Sequence, residues 1–306
     1  MRRTSSFRTP SFSVWLGRVL LLLLWTAGLL SGGFLLLCAT GVLSPVQISQ
    51  SVSAWLNPAA ETADAAPTAG SASLPAETPP FRGVRLALED LDQAETLAAG
   101  YDGVVVTMKA SDGGLNYVSD LPLAADCGAS SGDPNRNQAL KNLNQTQGLY
   151  TVAQVSCLRD EALVEYDPGL ALQRVSGSPW RDETGVSWLD PADAQVQGYL
   201  IGVCRELAQL GFDEILLTDC SFPTQGALDC LRPQGKKAEV LEAFCRQLQG
   251  ALADFPVVLS VEGQGDWASA QGESGQTAGL LATFGRVWTR EEDAEALTSF
   301  APSQLP

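Results

Sequence analysis

The chain contains no histidine. Ser-His-Asp and Cys-His catalysis are therefore excluded, and so is every metal site built on imidazole. Acid–base work falls to carboxylates, Lys, Tyr or Cys. Two carboxylates close apolar runs. Asp219 ends Asp213-Glu214-Ile215-Leu216-Leu217-Thr218-Asp219, and Glu262 ends Pro256-Val257-Val258-Leu259-Ser260-Val261-Glu262. Two carboxyl groups across one cleft can divide proton transfer and nucleophilic attack between them. Lys109 and Asp112 stand at the end of a third run that starts at Gly103. A Lys there pairs with a neighbouring acid in a site or is simply solvated. Trp180, Asp182 and Trp188 fall in a long loop from Leu158 to Pro191. Exposed indoles stack on sugar faces and carboxylates bond sugar hydroxyls; equally, both rings could pack the loop onto the body of the protein. Asp190, just before Pro191, reads as a cap for the helix that follows.

These residues need elements to hold them. Gly83–Leu88, Gly103–Lys109, Leu149–Val155, Asp213–Asp219 and Pro256–Glu262 read as strands, and Gly285–Trp288 as a sixth. Helices are expected at Leu91–Ala99, Asn137–Thr146, Asp193–Leu210 and Lys237–Ala253, with a short one at Ala294–Phe300. The clearest is 193–210, where Val196, Tyr199, Leu200, Val203, Leu207 and Leu210 recur at three- and four-residue steps. Apolar strands alternating with helices predict an α/β fold with a parallel sheet, either a (β/α) barrel or an open doubly wound sheet. No Gly-rich phosphate loop opens a helix after a strand, which weakens a nucleotide-binding reading.

Seven cysteines lie at 38, 127, 157, 204, 220, 230 and 245. None of their spacings resembles a zinc site, so neither a metal nor another cofactor is expected. Cys204 and Cys245 fall on apolar helix faces and read as buried thiols. Cys220 with Cys230 is the expected disulfide.

Three segments in order carry a family resemblance. Gly103–Lys109 with Asp112-Gly113-Gly114 resembles a second strand and its turn. Trp180-Arg181-Asp182 with Gly185-Val186-Ser187-Trp188-Leu189-Asp190-Pro191 resembles the long loop, and Gly211-Phe212-Asp213-Glu214-Ile215 through Phe222-Pro223 resembles the fourth strand and its exit. Together they resemble the glycoside hydrolase domain of bacterial surface proteins, which is similar to α-amylase-type TIM barrels. The resemblance spans roughly 81–262. It implies that strand four supplies a nucleophile, Asp219, and strand five an acid, Glu262, in a retaining two-carboxylate mechanism. It also implies substrate contacts from Trp180, Asp182, Trp188, Lys109 and Asp112. The chain departs from the family in two ways. The family places its Asp one residue earlier, where Thr218 stands, and an Arg where Ser221 stands. It also continues for two more strand–helix units. The expectation is therefore a TIM-like barrel of about six units, left incomplete, with an open edge that invites a homodimer. Its function is glycoside hydrolysis or, if catalysis is lost, glycan binding or scaffolding.

The N-terminal part has a separate logic. Val19 to Leu43 contains no Asp, Glu, Lys or Arg, and Arg2, Arg3, Arg8 and Arg18 precede it. About 20 apolar residues span a bilayer as a helix, and basic flanks stay inside. The expected layout is a cytoplasmic tail at 1–18, a membrane helix at 19–43, a Pro- and Ala-rich extracytoplasmic linker at 44–80 and a catalytic-type domain at 81–306. Residues 51–306 carry 15 basic and 35 acidic side chains, a net of −20. That charge opposes nucleic-acid binding and otherwise serves solubility; the apolar run makes the membrane an expected partner, and the resemblance implies polysaccharide as the other. Protease added to intact cells should remove the domain; protection of the domain while an external control is cut would reverse the topology.

Overall fold

A parallel strand buried on both faces must be apolar throughout, and the chain supplies such strands in sequence. The structure, a computed structural model, describes residues 80–265, 273–289 and 295–302. The expected tail and membrane helix, and the linker up to residue 79, lie outside the described residues. Among the described residues no helix is long and apolar enough to cross a membrane.

Strand β1 (Phe81–Arg85) leads through a 3-10 turn (Leu91–Gln93) and helix α1 (Ala94–Leu97) to β2 (Gly103–Lys109). Helices α2 (Pro122–Asp126) and α3 (Arg136–Asn144) precede β3 (Thr151–Ser156). After α4 (Glu161–Tyr166) and a long excursion come α5 (Ala194–Leu210) and β4 (Glu214–Thr218). Helix α6 (Lys237–Leu252), β5 (Val258–Glu262), α7 (Ala278–Leu281), β6 (Val287–Trp288) and β7 (Ala296–Phe300) complete the order. The first six strands pair in parallel.

The barrel is closed, which corrects the expected open seam. Residues 296–300 are a strand where a short helix was expected. β7 runs antiparallel to both β6 and β1, pairing Trp288 with Ser299 and Phe81 with Ser299. Ala, Leu and Glu near this segment favour helix in isolation. Two unpaired strand edges outweigh that preference, because their N–H and C=O groups need partners. Burial follows with period two: Leu297 and Ser299 are buried and their neighbours are half-buried. The open edge that motivated the homodimer is thus absent among the described strands.

Inside the barrel, Val105, Val152, Leu216, Trp288 and Leu297 form an apolar layer. Trp288 fits because β1 carries Gly83 opposite it: a Cβ there would lie 2.6 Å from Val105 Cγ2 and 3.1 Å from Trp288 Cη2. Towards the start of the strands, buried Glu214 accepts hydrogen bonds from Trp288 Nε1 (2.8 Å), Tyr150 Oη (2.9 Å) and Arg286 Nε (3.1 Å). Burial, with the Glu214 charge, pushes the Tyr150 hydroxyl above its ordinary range. On the opposite side of the apolar layer the inward residues turn polar, and Arg85 Nη1 donates to Gln154 Oε1 at 3.1 Å. One end of the barrel is therefore plugged, and the C-terminal end is lined with polar groups.

The helices form the outer layer. Val196, Leu200, Val203 and Leu207 of α5 and Leu241, Phe244 and Leu248 of α6 are fully or almost fully buried. Each such side chain contributes roughly 1.5–3 kcal/mol on burial. Asp193 caps α5, its side chain accepting from Gln195 N and Val196 N, and Gly211 ends the helix at φ 93°. Asp190 does not cap the helix, as was expected; its Oδ1 accepts from Ala192 N and shapes the approach.

Removing residues 295–306 should leave β1 and β6 with bare edges. The expected outcome is a markedly lower Tm and loss of a single cooperative transition by calorimetry. An unchanged melting curve would show that β7 does not close the barrel.

Candidate active site

Active sites of (β/α) barrels form at the C-terminal ends of the parallel strands. Here that end is organised from β2 outward. Lys109, the last residue of β2, is fully buried. A buried ammonium needs partners for its donors. Lys109 Nζ donates to the backbone oxygens of Ser156 (2.8 Å) and Arg159 (3.0 Å) and pairs with Asp160 Oδ2 at 3.0 Å. Asp160 Oδ1 accepts from Leu163 N and caps α4. Gly113 permits this approach, since a Cβ there would sit 2.1 Å from Asp160 Oδ1. Lys109 is therefore not a substrate contact, as was expected, but fixes the exit of β3. Asp112 is exposed; its Oδ1 accepts from Gly114 N, and its backbone oxygen accepts from Glu161 N and Ala162 N. It too shapes the loop.

At the end of β4, strand alternation places Thr218 on the inward row with Leu216. An extended Asp219 would then face the helices. The backbone breaks the alternation instead. Asp219 is the one non-glycine residue with positive φ among the described residues, at 51°. Asp tolerates this left-handed region better than most side chains, and such outliers cluster at functional sites. The result is that Asp219 Oδ2 accepts a hydrogen bond from Ser156 Oγ at 2.7 Å. Ser156 belongs to the inward row of β3, with Val152 and Gln154. The one-residue displacement read in the sequence is thus offset by a local turn of the chain. Asp219 is 7% exposed. Thr218 Oγ1 lies 3.4 Å from the Val155 oxygen.

Glu262 ends β5 half-buried, with Gln264 Nε2 at 3.4 Å from its Oε2. Gln276, which carries no motif or periodicity that would single it out, ties the two carboxylate-bearing strand ends together. Its Nε2 donates to the Cys220 oxygen (3.1 Å) and the Glu262 oxygen (2.9 Å), and its Oε1 accepts from Gln264 N (2.8 Å). Gln276 is fully buried. A buried amide that bridges two strand exits fixes their spacing more firmly than the ladder alone.

The loop expected from 158 to 191 is ordered by short antiparallel bridges, Arg159 with Trp188, Ala171 with Leu189 and Arg181 with Ser187. Trp180 is fully buried, and its Nε1 donates to the Ala227 oxygen at 3.0 Å. Its ring faces protein and cannot stack on a sugar, which corrects the expected contact. Trp188 is 8% exposed and donates from Nε1 to Asp182 Oδ2 at 3.0 Å. Asp182 also pairs with Arg159 Nε at 3.0 Å and accepts from Thr184 N and Oγ1. Burial pushes the Asp182 carboxyl up, but the Thr184 and Trp188 hydrogen bonds and the Arg159 charge outweigh it and hold the carboxyl below its ordinary range. Arg159, Asp182 and Trp188 line a cleft of about 260 Å³ with Ser221, Phe222 and Gln264. All six lie on segments that follow β3, β4 or β5, so the cleft opens on the C-terminal end of the barrel.

Among the described residues no cluster of acids and cysteines could hold a metal ion. The expected Cys220–Cys230 disulfide is not formed: Cys220 is buried, Cys230 is exposed and both are free. Cys204 and Cys245 are buried thiols, as their helix positions indicated.

The comparisons agree with this architecture. The family described as "Putative glycosyl hydrolase domain" matches residues 92–284, more than half of the chain. The protein therefore belongs to that family. Its fold is similar to that of a hypothetical protein from Ruminiclostridium thermocellum ATCC 27405, at 27% identity and a TM-score of 0.52, covering 58% of this chain and 96% of that one. More distant similarities include the glycoside hydrolase domain of PgaB (BpsB) from Bordetella bronchiseptica, at 15% identity and TM-score 0.49, covering 66% and 67%. Chitobiase from Flavobacterium johnsoniae is at 15% identity and TM-score 0.45, covering 61% and 32%. These two are too distant to bear on function. No curated protein matches the chain.

Lys109→Met should cost roughly 3–5 kcal/mol in urea unfolding, because Asp160 is left as a buried unpaired charge; a loss under about 1 kcal/mol would contradict the pairing. Asp182 makes a separate prediction. A carboxyl with a depressed folded pKa contributes stability that is complete above its unfolded value, about 3.9, and lost as pH falls through the folded value. Trp188 fluorescence should stay constant down to about pH 4 and change below it, and Asp182→Asn should remove that acid transition.

Proposed function

We propose that the protein is a membrane-anchored glycoside hydrolase acting outside the cytoplasm on cell-envelope or external polysaccharide. One observation carries the reading: the left-handed backbone that places the Asp219 carboxylate on Ser156 at the C-terminal end of β4, in a member of a glycosyl hydrolase family. A chain needing only a soluble strand end has no use for a strained torsion at a buried acid.

In this reading Asp219 attacks the anomeric carbon while Glu262 protonates the departing glycosidic oxygen. Glu262 then takes a proton from water, which releases the sugar from Asp219. Ser156 orients the nucleophile, and Gln276 sets its strand end against that of Glu262. The cleft of Arg159, Asp182 and Trp188 receives the neighbouring part of the glycan. Trp188 offers a small aromatic edge, and Arg159 offers donors to hydroxyl or acidic groups. Asp182 contributes through Trp188 and Arg159 rather than by direct contact. The apolar run at 19–43 anchors the chain, with the acidic domain held off the membrane by the linker.

The alternative is a barrel that binds glycan without cleaving it, favoured by Thr218 standing where the family has its acid. Release of reducing ends from a panel of cell-envelope and external polysaccharides separates the two. For a hydrolase, Asp219→Asn should abolish release while leaving binding nearly intact, since the charge matters most in the transition state. Glu262→Gln should slow substrates with poor leaving groups most. Binding by the wild type with no release from any polysaccharide would favour the non-catalytic reading.

A further inference from the structure

Three thiols that the proposed chemistry does not use lie buried behind the exit of β4. Cys157, Cys220 and Cys245 are each at most 1% exposed. Cys220 Sγ lies 3.8 Å from Cys245 Sγ, and the Cys157 thiol also lies against Cys220. The two partners sit on very different supports. Cys245 is in the middle of α6, where the helical backbone fixes it. Cys220 lies in irregular chain, directly after the left-handed Asp219, with its backbone oxygen bound by Gln276. A disulfide requires about 2.05 Å between sulfurs, so the gap must shorten by about 1.8 Å. The helix resists that movement, so most of it falls on Cys220 and on the residue before it.

We infer that Cys220 and Cys245 are a latent disulfide site that, when oxidised, ties the segment bearing Asp219 to helix α6. The oxidant is a small-molecule disulfide. One cysteine thiolate attacks a sulfur of that disulfide, forming a mixed disulfide and releasing one thiol. The second cysteine thiolate then attacks the protein sulfur of the mixed disulfide and releases the second thiol. Two cysteines lose two electrons in all, one oxidant disulfide is reduced to two thiols, and the cysteine protons pass to those thiols. Hydrogen bonds with the neighbouring Cys157 and Cys245 thiols, together with burial, hold the Cys220 thiol well above its ordinary range. Thiolate is therefore scarce, and closure is slow in the folded chain.

Exposed Cys230 belongs to the same stretch of chain but not to this pair. It reacts early with added disulfide and serves as an internal reference that the oxidant is active.

The test is to incubate the purified full chain with oxidised glutathione, digest it without reduction and map linked peptides by mass spectrometry. The expected result is a Cys220–Cys245 link that forms more slowly than glutathionylation of Cys230. Tm should rise by about 5–10 °C, as for other disulfides closing loops of this length. Cys157→Ser and Cys230→Ser should retain the link, and Cys245→Ser should lose it together with the gain in Tm. A wild-type link between Cys220 and Cys230 or between Cys157 and Cys220 would overturn the proposal. So would Cys220 and Cys245 remaining reduced after an incubation many times longer than full modification of Cys230 requires. The primary readout uses the wild type, so it does not depend on a variant folding, and because it measures linkage it is independent of polysaccharide turnover.

Discussion

A buried ammonium group must be matched by its surroundings, and the candidate site is arranged around one. Lys109 is enclosed completely, and its contacts are the Ser156 and Arg159 backbone oxygens and the Asp160 carboxylate. Each contact passes to something else. The Ser156 side chain holds Asp219. The Arg159 guanidinium holds Asp182, which in turn holds Trp188. Asp160 starts α4 and so the excursion that builds the cleft. A buried ion pair is weak evidence for stability, since desolvation opposes its attraction, but it does specify geometry through its directional bonds. In this protein it fixes the place where the β3 exit turns.

Barrel closure supplies the second constraint. Six parallel strands curl but do not meet, and β7 completes the ring with the opposite direction. Trp288 fills the interior near that junction, held by Glu214 and Ser260. Beyond the apolar layer, Ser156 and Glu262 close the inward rows of β3 and β5 at the C-terminal mouth. There Gln276 locks the exits of β4 and β5 to each other. The acids proposed for catalysis thus stand on strand ends held by buried hydrogen bonds.

Much of this was legible in the sequence. The apolar run at 103–109 and the three- and four-residue steps of α5 carry strong periodicity, and both elements fall where they were expected. Residues 296–300 were misread because five residues carry little periodic signal and their composition favours helix; only the free edges of β1 and β6 make them a strand. For Lys109 the sequence leaves pairing with an acid and solvation equally open, since its buried partners lie 47 to 51 residues away in sequence. Trp180 and Trp188 looked alike in sequence, yet Trp180 is covered by the turn at Gly226 and Ala227. The displacement of Asp219 was visible, but its remedy was not. A left-handed torsion at a single Asp leaves no trace in composition or spacing. Ser156 and Gln276 were equally silent, because an isolated Ser or Gln is ordinary wherever it stands.

Catalysis by this pair of acids depends on where the Asp219 carboxylate points. A crystal structure of the protein with a bound polysaccharide fragment measures this directly. The expected structure has a positive φ at Asp219, Oδ2 still bonded to Ser156 Oγ, the anomeric carbon facing the carboxylate and Glu262 beside the glycosidic oxygen. The contradicting result is an extended Asp219 turned among the helices, with the sugar bound only at Trp188 and Arg159.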